Sequence, residues 1–238
     1  MSKVLSTLRH TKTDRVFGRL RDMIIDLELK PGEPVRKDGL TQLFDVSRAP
    51  INEALTRLQA EDLVVIAPQH GTFVQHIRLP KLREGIFFRR AIEPKAMALL
   101  AKTIDDARLD RLSANIERQR VAASAHDISA LHRLDDAFHE LLLEDETFQY
   151  CQTVMRTFSA HLERARNMAS PTTRKPAETV RDHANIVNAL QARDPAWAES
   201  AMDNHLASSF RELNRAMRET PELFETDGAA AQPRRAKR

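Results

Sequence analysis

Between Phe44 and Val65 the chain reads FDVSRAPINEALTRLQAEDLVV, and this run restricts the possible folds more than any other. Ile51, Ala54, Leu55 and Leu58 recur at helical spacing and give one apolar stripe, so the helix must bury that side and expose the other. Ser47 stands at the N-cap position, where its hydroxyl can accept from an N–H of the first turn. Pro50 follows inside that turn, where a missing N–H costs little. The opposite face and the amino end carry Ser47, Arg48, Asn52 and Thr56. Such a face suits either plain solvation or a phosphate backbone and the edges of bases.

The flanking segments decide between these. Upstream, Val16, Leu20, Met23, Ile24 and Leu27 mark a helix that ends before Lys30-Pro31-Gly32. A Pro-Gly turn then leads into a short helix carrying Leu40, Leu43 and Phe44. Downstream, Leu63–Ala67 and Thr72–Ile77 read as two short strands joined by a turn containing Gly71. Three helices followed by a hairpin is the order of a winged helix-turn-helix, whose third helix would lie in a major groove.

From PGEPVR through VSRAPINEALTRL to HGTFV, over residues 14 to 76, the sequence resembles the DNA-binding domain of the GntR family of bacterial regulators. The resemblance implies DNA contacts from Arg36, Ser47, Arg48, Ala49, Pro50 and Asn52, and from His70 and Gly71 at the wing tip. Three residues depart from the family pattern: Asn52 replaces a usual arginine, Asp45 a frequent glycine and Lys37 a frequent glutamate. Asn52 keeps an amide able to read a base but loses a charge, which implies an altered operator.

The 238 residues exceed what this domain needs. The expected division is a winged helix-turn-helix over 1–78, an all-helical domain over 79–225 and a disordered basic tail over 226–238. A net charge of +3 is too mild to establish nucleic-acid binding by itself. The single cysteine, Cys151, excludes an internal disulfide, fits a reducing cytosol and is expected as a buried small hydrophobe. No apolar run approaches the roughly 18 residues of a membrane span, and the N-terminus lacks a secretory pattern. The expected location is the cytoplasm, with no membrane partner.

Beyond Leu79, six helical stretches are expected near 81–102, 105–123, 127–144, 146–169, 176–192 and 194–219. Asp105, Asp127 and Asp194 stand at N-cap positions, and Ser170-Pro171-Thr172-Thr173 marks a break. The fold class is therefore mainly α, a winged helix followed by a bundle of about six helices. Several polar residues fall on faces that should be apolar. On the third of these helices Leu131, Leu134, Phe138, Leu141 and Leu142 form the stripe. Asp135 lies inside it and His139 on its edge, at about 100° per residue. His183 sits among Val180, Val187 and Leu190, and His205 shares a face with Trp197, Ala201 and Leu213. One inward histidine is an ordinary core residue. An inward Asp-x-x-x-His pair with two more histidines also suits Zn²⁺, Ni²⁺ or a similar first-row ion.

LDDAFHELL, DHANIVNALQARD and AMDNHL resemble the FCD ligand-binding domain, which follows the winged helix in the FadR subfamily of GntR regulators. The likeness runs from about Leu82 to Leu213. It implies a divalent ion, Zn or Ni, on Asp135, His139, His183 and His205. On the first helix of this domain, Arg89 and Glu93 lie near the apolar stripe of Leu82, Ile86, Ala96, Met97 and Leu100. They read either as a plain i, i+4 ion pair or as part of an effector pocket, with Arg89 clamping a carboxylate. His161, inward with Val154, Phe158 and Ala165, is a further candidate contact. The resulting expectation is a homodimeric repressor that reads a palindromic operator and responds to a small organic acid. Two alternatives are a regulator whose metal is structural and a metalloenzyme anchored to DNA, with Glu93 as its only obvious general base.

Overall fold

In the computed structural model, residues 11–168, 176–219 and 224–225 are described. They divide into two compact units, one ending at His76 and the other beginning at Ile77.

In the first unit α1 spans Lys12–Ile25, α2 Lys37–Phe44 and α3 Arg48–Ala60, followed by β1 at Val64–Ala67 and β2 at Gly71–Val74. A capping box starts α1: Thr11 accepts from the Asp14 N–H, and the Asp14 carboxylate accepts from the Thr11 N–H. The stripe read on α3 is the core, since Ile51, Ala54, Leu55 and Leu58 are buried together with Val16, Leu20 and Ile24 of α1. Asp45, in the left-handed region at φ 51°, stops α2 and turns the chain toward α3. β1 and β2 pair antiparallel from Val64 opposite Val74 to Ala67 opposite Gly71. The Glu33–Val35 segment joins the other edge of β2, through Val74 N–H to the Glu33 carbonyl and Val35 N–H to the Thr72 carbonyl.

Four expectations change here. Ser47 occupies the N-cap but its hydroxyl caps no backbone N–H. Leu43 is exposed, because α2 buries only Leu40 and Phe44. α1 ends at Ile25, with Leu27 at φ 61° just beyond it. The second strand stops at Val74 rather than running on to Ile77.

In the second unit a strand pair precedes the helices. β3, Ile77–Arg78, lies parallel to β4, Phe224–Glu225, so this domain is not wholly helical as expected. Parallel pairing of two residues leaves no period-2 pattern to read. Among the described residues six α-helices follow: α4 Leu79–Thr103, α5 Asp106–Ser124, α6 Ile128–Leu142, α7 Gln149–Met168, α8 Pro176–Gln191 and α9 Pro195–Glu219. A single 3₁₀ turn at Glu146–Phe148 leads into α7. Asp105, Asp127 and Asp194 accept from first-turn amides at 2.7 to 3.0 Å, as N-cap aspartates should.

α4 lies against α9 and α7, while α5 packs between α6 and α8. Gly85 allows the close approach of α4 and α7, since a Cβ there would come within 2.8 Å of Phe158 Cβ. Trp197 is 40% exposed, so the inward face of α9 runs through Ala198, Ala201, Met202 and His205 instead. Cys151 lies on α7 but is only half-buried. The Ser170–Thr173 break and the basic tail fall outside the described residues.

Candidate metal centre and DNA-reading face

Asp135, His139, His183 and His205 are all buried and offer ligand atoms within 4.8 Å of one another. They come from three helices: the i, i+4 pair from α6, His183 from the middle of α8 and His205 from α9. His139 Nε2 lies 3.2 Å from His205 Nε2, His205 Nε2 lies 3.3 Å from His183 Nε2, and Asp135 Oδ1 lies 3.3 Å from His183 Nε2. A tetrahedron of ligands on a zinc-like ion, with bonds near 2.05 Å, has edges of about 3.3 Å.

The tautomers strengthen this fit. His183 Nδ1 lies 2.8 Å from Gln119 Oε1; Gln119 donates to Asn115 Oδ1 at 2.6 Å, and Asn115 donates to the Leu134 carbonyl at 3.2 Å. This relay presents an oxygen to His183 and so keeps the proton on Nδ1. His139 Nδ1 lies 2.8 Å from Glu93 Oε2, which assigns its proton the same way. Both Nε2 lone pairs therefore face His205 Nε2. A cation at their meeting point would satisfy all of them.

Electrostatics around the centre are set by two arginines. Burial pushes Glu93 upward, but Arg89 and then His139 outweigh it and hold the carboxyl at about 2. Burial likewise opposes the charge on Asp135, yet the Arg166 guanidinium beside it keeps the carboxyl well below the usual carboxylate range. Arg166, on α7, donates to Asp135 through one arm of its guanidinium and to Asp136 through the other. Burial, together with the neighbouring carboxylates of Glu163 and Asp135, raises the Asp136 carboxyl against the pull of Arg166.

A small open pocket adjoins the cluster. Its polar wall is Arg89, Asp135, His139, Arg166, His205 and Ser209, and its apolar wall Leu162, Leu206, Phe210 and Leu213. Arg89 was expected at this cavity and lines it. Glu93 does not: it sits behind the His139 ring, 2.5 Å from Arg89 Nε. The plain i, i+4 pair therefore forms, while Arg89 keeps donors beyond those Glu93 accepts. His161 is buried on α7 among neighbours that include Phe158 and Ala165, but it is not part of the cavity wall, and Val154 is partly exposed.

Gln119, Asn115, Arg166 and Ser209 were not singled out from the sequence. Asn115 and Gln119 carried a readable signal, because they fall i, i+4 on the buried face of α5 with Leu112, Ile116 and Ala122. Arg166 and Ser209 carried none, as each is one polar residue on a mixed helix surface.

On the first unit, Arg36, Ser47, Arg48, Ala49, Asn52, His70 and Gly71 are exposed and Pro50 is half-buried. Lys37 Nζ donates to Asn52 Oδ1 at 2.8 Å, and Arg48 pairs with Asp38 at 2.7 Å. Both Arg48 and Asp38 are mostly solvated, so the pair yields readily to a phosphate. Gly71, at φ 114°, follows Pro68–His70 at the wing tip.

Residues 12–74 match the gntR family of bacterial regulatory proteins, and residues 84–208 match the FCD domain. An uncharacterized HTH-type transcriptional regulator from an unstable DNA locus of Streptomyces ambofaciens is 32% identical over 220 residues, 92% of each chain. The HTH-type transcriptional repressor RspR of Escherichia coli K12 is 30% identical over 210 residues, 88% of this chain and 92% of its own. The chain is a transcriptional regulator of the GntR family. Its pairing of winged helix and FCD domain fits the FadR-like branch. The same fold recurs in E. coli McbR/YncC, with a TM-score of 0.75 at 19% identity over 86% of this chain and 98% of that one. A GntR protein of Rhodococcus sp. RHA1 gives 0.72 at 23% identity, over 85% and 98%. Among the described residues of this GntR regulator, no helix is long and apolar enough to cross a membrane.

Proposed function

We propose that this regulator is a repressor whose affinity for its operator is set by a small organic acid bound beside a divalent transition ion, Zn²⁺ or Ni²⁺. One observation carries the reading. Two imidazole lone pairs, fixed by Gln119 and Glu93, converge with Asp135 Oδ1 and His205 on one point at the wall of a cavity that Arg89 also lines. Asp135, His139, His183 and His205 would hold the ion, which when bound supplies a Lewis-acidic position for a carboxylate. Arg89 contributes a planar fork to the same carboxylate, and the apolar wall excludes water around the rest of a small acid.

DNA is read by Ser47, Arg48, Ala49, Pro50 and Asn52 at the amino end of α3, with Arg36 beside it and His70 and Gly71 at the wing. Two copies in a homodimer would present two such helices to a palindromic site. The name of RspR, a repressor, favours repression over activation. A structural ion without sensing is the competing reading, favoured by the burial of all four ligands. An enzymatic role has less support, because Glu93, its candidate base, is occupied by Arg89 and His139.

Operator binding titrated with sugar acids, hydroxy acids and short dicarboxylates, with and without Zn²⁺, tests the proposal. At least one acid is expected to weaken binding in a metal-dependent way, and His183→Ala should abolish that response while the protein stays folded. Loss of fold in His183→Ala would favour the structural ion. Operator affinity indifferent to every acid would contradict ligand control.

A further inference from the structure

Asp135 has two oxygens, and the structure gives them different partners. Oδ1 faces the imidazole cluster, 3.3 Å from His183 Nε2. Oδ2 accepts from one terminal nitrogen of Arg166, whose other terminal nitrogen is held by Asp136 Oδ1. The guanidinium is planar and forked, so its two arms fix each other. Swinging Oδ2 toward the cluster would break a charge-assisted contact to a side chain only 21% exposed, and the Asp136 arm resists any compensating shift of Arg166. The clamp also bridges helices: Arg166 comes from α7, which contributes none of the four cluster residues. Beside it, His132 and Asn167 join the same two helices by a second side-chain contact.

From this geometry we infer that Arg166 confines Asp135 to one-oxygen coordination and thereby determines which metal ions the centre accepts. The inference rests on the reading that the four residues hold an ion. With Oδ2 engaged, the protein offers three nitrogens and one oxygen, and the positive charge of Arg166 draws electron density from that oxygen. Ions that favour imidazole, such as Zn²⁺, Ni²⁺ and Co²⁺, are served by this set. Mn²⁺, Mg²⁺ and Ca²⁺ favour more oxygen ligands and more carboxylate charge, and are bound more weakly. Arg166 is thus a positioning residue. It touches no ion, and it acts through the carboxylate that does.

The test uses the full chain stripped with a chelator and titrated with Zn²⁺ and Mn²⁺ in competition, for wild type, Arg166→Ala and Arg166→Lys. In wild type a strong preference for Zn²⁺ is expected. Arg166→Ala should lower the Zn²⁺-to-Mn²⁺ affinity ratio by about 10- to 100-fold, the range over which outer partners of metal ligands act. Arg166→Lys, which keeps the charge without the fork, should restore only part of that ratio. Wild-type protein loaded with Zn²⁺ offers a check that needs no variant. X-ray absorption or a crystal structure should find one Asp135 oxygen on the ion and Arg166 still on the other. An unchanged ratio in Arg166→Ala, or two Asp135 oxygens on the ion in wild type, overturns the inference and leaves the metal centre standing. Wild type that binds neither ion overturns both.

Discussion

At the scale of single residues, the centre depends on proton placement as much as on its ligands. Gln119 orients its oxygen toward His183 because its amide nitrogen donates to Asn115 Oδ1, and Asn115 in turn donates to the Leu134 carbonyl. Gln119→Leu is expected to weaken metal binding by about 10- to 100-fold with helix content unchanged, as isothermal titration with Zn²⁺ would measure. Unchanged affinity would mean that His183 needs no help in choosing its tautomer. Glu93 gives a pH dependence of known sign. Its folded-state carboxyl is held down at about 2 against an ordinary value of 4.5. It therefore contributes stability above about pH 4.5 that is lost as pH falls toward 2. In metal-free protein, denaturant unfolding of Glu93→Gln should have a shallower acid slope than wild type across that window. An identical slope would show that the Arg89 pairing confers nothing on the fold.

At the scale of helices and strands, close packing was harder to read than periodicity. Gly85 is one case: nothing in the run LREGIFF distinguishes it from any helical glycine, yet it faces Phe158 across the α4–α7 contact. Gly85→Ala is expected to destabilise the second unit by about 1–3 kcal/mol through overpacking, despite alanine's better helix propensity. A thermal melt followed at Trp197 fluorescence would detect it, and a stabilised variant would refute the close approach. Asp45 offers the opposite sign. It holds a left-handed φ where glycine is at ease, so Asp45→Gly should stabilise the first unit by roughly 0.5–1 kcal/mol.

The α3 stripe, the three aspartate caps and the inward polar residues of α6 and α8 were legible because each follows a fixed period or a fixed cap position. On α9 the His205 face was legible only in part. Its spacing puts Trp197 on that face with Ala201 and His205, but the helix turns Ala198 inward in its place. The β3–β4 pair, the Arg166 clamp and the cavity's apolar wall were not legible, since each joins segments that only tertiary packing brings together. Glu93 was visible as an inward carboxylate, but its partner His139 lies on another helix, so its position behind the ring could not be inferred.

At the scale of the whole molecule, the proposal requires that effector binding differ between dimers able and unable to engage the operator. If Arg36 and Arg48 neutralise phosphates as proposed, DNA affinity should fall steeply with salt through counterion release. Metal binding should also appear as stability: an ion at 100 times its Kd adds about 2.7 kcal/mol, so chelation should lower the melting midpoint of wild type but not of His183→Ala. The central claim is that Asp135, His139, His183 and His205 hold a resident transition ion. Metal content after purification without affinity-column metals, measured per chain for wild type and His183→Ala, tests it most directly. The expected result is one zinc or nickel per wild-type chain and a small fraction of that in the variant. Wild-type protein that is folded, binds DNA and carries no stoichiometric transition ion even after reloading would contradict it.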